Sequence, residues 1–216
     1  TLIPQTRVEG LNPDKVLDAT DPVIDIDVSV AANGSCYRKD KQGILPEIIQ
    51  ELYDTRVTIK QKMIKAQQRK EVEGGNPSLE REIARCETEQ MAVKILLNSL
   101  NLWFRYFDIR IAEGVTLTGQ SVIRYAEKHI NDYLDEALGE TKDRVIAIDT
   151  DSVYVNVNDV IKRANPKNPV AFLDRLGSEA LEPVLEKCFD GFCKIMNSYR
   201  NRMVMKREVI ADRGIW

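Results

Sequence analysis

Histidine is almost missing from this 216-residue chain, which carries His129 alone, and its four cysteines, Cys36, Cys86, Cys188 and Cys193, contain no C-x-x-C pair. A zinc centre is built from such residues at short spacings, so none is expected. Four cysteines in a chain this long read as reduced thiols in apolar surroundings rather than as a disulfide framework. His129, behind Lys128 on a helical pattern, reads as a solvated or helix-end residue. No apolar run reaches membrane-spanning length and no charged-then-apolar leader opens the chain, so a cytoplasmic-type protein with no membrane partner is expected. Repeats and low-complexity segments are also lacking. The net charge of -3 excludes a uniformly basic nucleic-acid binder and turns attention to where the charges sit. Thr1 in place of an initiator Met is read as a processed chain or a fragment.

What is present centres on residues 145–157, where the apolar run Val145 to Ile148 meets Asp149 and Asp151 and then resumes as an alternation. This predicts a β-hairpin with two carboxylates at its tip. Val153, Val155 and Val157 fall on one face of the second strand and Ser152, Tyr154 and Asn156 on the other. Two acids on so tight a turn repel each other and call for a cation, and hard oxygen ligands on a hairpin suit Mg²⁺. A solvated acidic turn is the other reading of the same residues.

Around that hairpin the pattern predicts an α+β fold. Residues 1–22, with Pro4, Pro13, Pro22 and Gly10, favour extended segments and turns. From Val23 to Val30 apolar residues alternate with Asp25, Asp27 and Ser29, as in a half-buried strand, and Asn33-Gly34 turns the chain into a second strand over Ser35 to Lys39. Pro46 opens a long helix to about Lys70 with Leu52, Ile59, Met63 and Ala66 as its apolar stripe. Between Thr55 and Lys70 that helix holds Arg56, Lys60, Lys62, Lys65, Arg69 and Lys70 and no acid, which is either a solvated face or a polyanion-binding one.

Gly74-Gly75 and the Asn76-Pro77 cap then predict a second antiparallel helix from Pro77 to about Leu100. It carries Lys94 and Asn98 on one face, Lys94 being either a snorkelling lysine or a ligand. Trp103 to Phe107 reads as an aromatic, strand-like core segment, and Ile111 to Leu138 as a helix closed at Gly139. Val170 to about Tyr199 reads as helical with a bend or boundary at Pro183, and Met203 to Ile210 as a last strand.

Taken in order, the helical hairpin with Arg56, Lys60, Lys94 and Asn98, followed by Asp149-Thr150-Asp151-Ser152, resembles the family B DNA polymerases, in particular the replicative enzymes of tailed phages. The resemblance covers nearly the whole chain. Lys94, Asn98 and Ser99 match the fingers motif K-x-x-x-N-S-x-Y-G, and Asp149 to Ser152 match the D-T-D-S of the palm hairpin usually written YGDTDS. It implies a palm-like segment over 1–45, fingers over 46–100 and further palm over 101–216.

It also implies a DNA-directed DNA polymerase that uses Mg²⁺, dNTP and primer-template DNA in two-metal nucleotidyl transfer. For a phage-encoded protein the site of action is the host cytoplasm. Asp151 is then a principal metal ligand and Asp149 its support. Arg56, Lys60 and Lys94 contact the triphosphate as the fingers close, and Asn98 positions the nucleotide.

The family's upstream D-x-x-S-L-Y-P-S motif does not occur, and Asp25 and Asp27 do not match its surroundings. Asn101-Leu102-Trp103 follows Leu100 where Tyr-Gly is expected, and Ala147-Ile148 precedes Asp149 where Tyr-Gly is expected again. The chain reaches Trp216 before the family's basic K-K-R-Y-like segment and thumb. A partner polypeptide supplying the upstream acid is therefore expected, with this chain inactive alone. A non-catalytic remnant that binds nucleic acid or nucleotide is the second reading.

Overall fold

The computed structural model describes residues 2–74 and 76–214, with the side chains of residues 4, 5, 73 and 100–107 outside that description. Its contacts divide the chain into two compact units, one of residues 40–112 and one of residues 2–39 with 113–214.

The first unit is a helical hairpin of α2 (Ile44–Glu73) and α3 (Pro77–Phe107). Along α2 the less exposed positions Leu45, Ile49, Leu52, Arg56, Ile59, Met63, Ala66 and Lys70 form one stripe, with Gln50 beside it, and along α3 Leu79, Ile83, Cys86, Gln90, Val93 and Leu97 form another, with Glu89 beside it. Steps of three and four alternate in both, the seam of two helices packed as a coiled coil. Gly74, with φ 81, leaves α2, and the Asn76 side chain accepts from the backbone N–H groups of Ser78 at 3.0 Å and Leu79 at 2.9 Å to start α3. Lys70 and Glu80 pair across the loop at 3.1 Å.

The expected strand over Trp103 to Phe107 does not form. Helix α3 continues through Phe107, because no glycine or proline stands between Leu100 and Asp108 to stop it. The proposal that these aromatic side chains are core lies outside the described residues. Asp108 makes the break, accepting from the Arg110 N–H at 3.0 Å.

The second unit is organised on α4 (Ile109–Leu138), whose buried residues from Gly114 to Leu134 face inward along its length. Strands β1 (Leu2–Arg7), β2 (Val28–Val30) and β3 (Ser35–Arg38) form an antiparallel sheet in the order β1-β3-β2, while β4 (Val145–Asp149) and β5 (Ser152–Val155) form a separate two-stranded sheet. The short helices α1 (Pro13–Asp18), α5 (Asn158–Ala164) and α6 (Pro169–Arg175) join these to α7 (Glu182–Ile195). One core cluster packs Ala126, Ile130 and Leu134 of α4 against Val145, Leu185, Cys188 and Phe189. A second joins Val16 and Ala32 to Phe192, Ile195 and Met196.

The Asn33-Gly34 turn forms as expected. Gly34 has φ 82, and a Cβ there would lie 2.2 Å from the Val8 carbonyl oxygen, so only glycine fits. Gly114 lets α4 approach the same turn, since a Cβ would meet Ala31 Cβ and the Tyr37 hydroxyl at 3.2 Å.

Three other expectations change. The strand predicted from Val23 shrinks to Val28–Val30, because the preceding backbone is engaged elsewhere: the Val23 N–H donates to the Ile195 carbonyl, and the Asn197 side chain donates to the carbonyls of Ile26 and Val28. Residues 203–210 form no strand, although Met203 and Met205 do turn toward the first core cluster. The helix predicted from Val170 is interrupted by a π-helical turn over Leu176–Leu181, just before Pro183, whose ring cannot continue a regular hydrogen-bond ladder.

All four cysteines are free thiols, and three of them are buried. His129 is not at a helix end. It lies half-buried within α4, its Nδ1–H donating to the Tyr125 carbonyl at 2.9 Å. No described helix is long and apolar enough to cross a membrane.

Candidate functional site: an acidic hairpin tip and a cationic helix face

In the second unit, β4 and β5 pair antiparallel with Ile148 opposite Val153 and Asp149 opposite Ser152, which leaves Thr150 and Asp151 as a two-residue turn. Thr150 has φ 47, left-handed backbone that a β-branched residue adopts at a cost of about 1–3 kcal/mol. Its hydroxyl donates to Asp149 Oδ1 at 2.9 Å, and the Ser152 hydroxyl donates to the Asp149 carbonyl at 3.1 Å.

Both carboxylates are exposed, and that of Asp151 makes no hydrogen bond or ion pair among the described residues. Val153 and Val155 turn toward the first core cluster, whereas Tyr154 on the other face is exposed. Val157 leaves the strand and caps α5, so the alternation ends earlier than its sequence suggests.

The tip offers what a hard divalent cation takes from protein: two carboxylates one residue apart, one uncommitted and the other held by a single hydroxyl. No group of three or more metal-ligating side chains occurs among the described residues. Asp27 is ion-paired with Lys39 at 2.9 Å, and Asp25 lies in the irregular stretch before β2.

The cations sit in the helical unit. Arg56 lies as far before Lys70 as Lys94 lies beyond Glu80, so the register fixed by the Lys70 to Glu80 pair puts Arg56 and Lys94 at the same level of the hairpin. Lys60 follows Arg56 by one turn of α2, and Asn98 follows Lys94 by one turn of α3.

Lys60, Lys94 and Asn98 are exposed and make no hydrogen bond or ion pair among the described residues. Arg56 occupies a seam position, and its Nε–H is buried without a partner. An arginine at an apolar seam position costs stability. Four polar groups thus lie uncommitted around the middle of the hairpin, whereas Arg85 nearer the loop is spent on Glu89 at 2.7 Å.

Arg144 was not visible as a site residue. A charge before an apolar run reads as an exposed loop residue, yet its side chain is 1% exposed and paired with Asp135. No local spacing signals that pair.

The model of the family described as DNA polymerase family B matches residues 1–167. Among curated proteins, the DNA-directed DNA polymerase of Escherichia phage RB69 is 30% identical over 235 residues, taking in 85% of this chain and 26% of that protein. The DNA-directed DNA polymerase of Enterobacteria phage T4 is 29% identical with the same coverage. The DNA polymerase of Pyrococcus glycovorans is 27% identical over 71% of this chain and 18% of its own length. The chain thus spans about a quarter of the phage proteins it matches. With the family match running through both the cationic hairpin and the acidic tip, this chain belongs to DNA polymerase family B.

Proposed function

We propose that this chain is the fingers and part of the palm of a DNA-directed DNA polymerase, acting on primer-template DNA in a host cytoplasm. Residues 46–100 are the fingers, and 1–45 with 101–216 contribute palm. The reaction joins the primer 3′-oxygen to the α-phosphorus of a dNTP and breaks its bond to pyrophosphate. The observation that carries the reading is the strained Asp149-Thr150-Asp151-Ser152 tip, with an uncommitted Asp151 carboxylate, in a member of this family.

Asp151, supported by Asp149, would hold Mg²⁺. Bound there, such ions stabilise the charge on the attacking and leaving oxygens. The hydrogen bond from Thr150 occupies one oxygen of Asp149 and leaves Asp151 as the freer donor. Arg56, Lys60 and Lys94 bind the triphosphate and neutralise the charge that grows on pyrophosphate. Asn98 positions the nucleotide one helical turn beyond Lys94. In this reading the upstream metal-binding acid comes from a partner polypeptide.

A second reading, nucleotide or nucleic-acid binding without catalysis, is favoured by one observation: α3 runs unbroken through Asn101 and Leu102, where the resemblance calls for Tyr-Gly. Primer extension with Mg²⁺ and dNTPs separates the two. The chain alone is expected to extend nothing, and its mixture with a polypeptide carrying the upstream motif is expected to extend primers unless Asp151→Asn is introduced. Extension that survives Asp151→Asn contradicts the catalytic reading.

A further inference from the structure

The tip that carries Asp149 and Asp151 is exposed on every side, so its geometry must be set from the base of the hairpin. That base is a polar lock. The Arg144 guanidinium, buried at the first turn into β4, reaches the Asp135 carboxylate on the last turn of α4 and donates to the carbonyls of Lys142 at 3.1 Å and Glu140 at 3.2 Å. Its backbone N–H donates to Asn131 Oδ1 at 2.9 Å, and its carbonyl accepts from the Asn156 N–H at 2.7 Å, across the hairpin. One residue therefore ties α4, the connection into β4 and the strand leaving β5.

The far side is closed by α5, where Lys142 meets Asp159 at 2.6 Å and Arg163 donates to the Leu138 carbonyl at 2.5 Å. Between this base and the tip, the ladder shifts register between Val145 and Ala147. Above that irregularity the register is not carried over from the strand ends, and a one-residue slip would turn Asp149 to the opposite face.

We propose that Arg144, through Asp135, is a positioning residue for the acidic tip: it fixes the strand register above the bulge and so keeps Asp149 opposite Ser152 and Thr150 left-handed. The proposal rests on the reading of that tip as a metal site. Arg144 touches neither substrate nor ion. It acts through the backbone of β4, and a planar guanidinium with three acceptors on two elements holds an orientation that a lysine cannot.

The test uses the full chain and two readouts, Mn²⁺ binding followed by the electron paramagnetic resonance of the free ion, and amide exchange at Asp149 to Ser152. Arg144→Met is expected to weaken Mn²⁺ binding at least tenfold and to speed exchange at the tip at least tenfold, with Arg144→Lys in between. Asp135→Ala, which removes the acceptor of the same contact from the other side, is expected to do the same, as is the milder Asp135→Asn, which removes its charge, and these serve if Arg144→Met does not fold. Ile195→Ala, which destabilises the same unit through the other core cluster, is expected to leave both readouts within twofold of the parent. Parent-like Mn²⁺ binding and tip exchange in Arg144→Met and Asp135→Ala overturn the proposal, as does an equal loss in Ile195→Ala. If the parent chain shows no Mn²⁺ binding that Asp151→Asn removes, the metal reading of the tip fails, and the exchange data alone decide the role of Arg144.

Discussion

The two units hold opposite charges and are built in opposite ways. The helical hairpin of residues 44–107 presents cations on an element whose fully buried side chains are few, Ala66, Leu79 and Cys86 among them, and whose helices are held by one repeating seam. The second unit presents two acids on a four-residue tip but supports them with core clusters, the Arg144 lock and contacts between residues far apart in sequence. A triphosphate is large and flexible, and cations one helical turn apart suffice to meet it. A divalent ion demands carboxylates placed closely, and such placement requires a rigid base.

The largest effect expected from this contrast lies in the core. Phe192→Ala should destabilise the second unit by about 3–5 kcal/mol, read in urea unfolding, while helicity of the hairpin persists. Simultaneous loss of both would show that the units fold as one. Next comes Gly34→Ala, which sets a methyl group against the Val8 carbonyl oxygen in left-handed backbone and should cost about 2–3 kcal/mol in the same assay.

Arg56→Leu should move the other way, raising the melting temperature of the hairpin by filling its seam with an apolar side chain, while weakening dNTP binding. A more stable hairpin with unchanged dNTP affinity would assign Arg56 to structure alone.

Titration gives a smaller handle. Burial pushes the Cys188 thiol from its ordinary value of 9.0 up to about 12. The folded chain therefore holds this proton more tightly than the unfolded chain does. The associated stability is present below pH 9.0 and is lost as pH rises toward about 12. Alkylation at pH 8 should spare Cys188 until the second unit is unfolded.

Features governed by local rules were legible in the sequence. The hairpin helices, their Asn76 cap and the Asn33-Gly34 and Asp149 to Ser152 turns follow from periodicity and turn chemistry. Features set by distant partners were not. The strand expected from Val23 is shortened by Asn197, which takes up the carbonyls of Ile26 and Val28. Arg144 is buried because Asp135 at the end of α4 and two carbonyls of the connection into β4 await it. The segment after Leu100 misled for a different reason: aromatic composition suggested a strand, but a helix already under way continues until something stops it.

The most direct measurement of this division of labour is a calorimetric titration of dATP into the full chain, once in EDTA and once in Mg²⁺. Lys94→Ala should weaken binding about tenfold in both, because the role proposed for Lys94 is a charged contact to phosphate. Asp151→Asn should weaken binding only when Mg²⁺ is present. An Asp151→Asn loss of equal size in EDTA, or a Lys94→Ala chain with the parent affinity, would contradict the account.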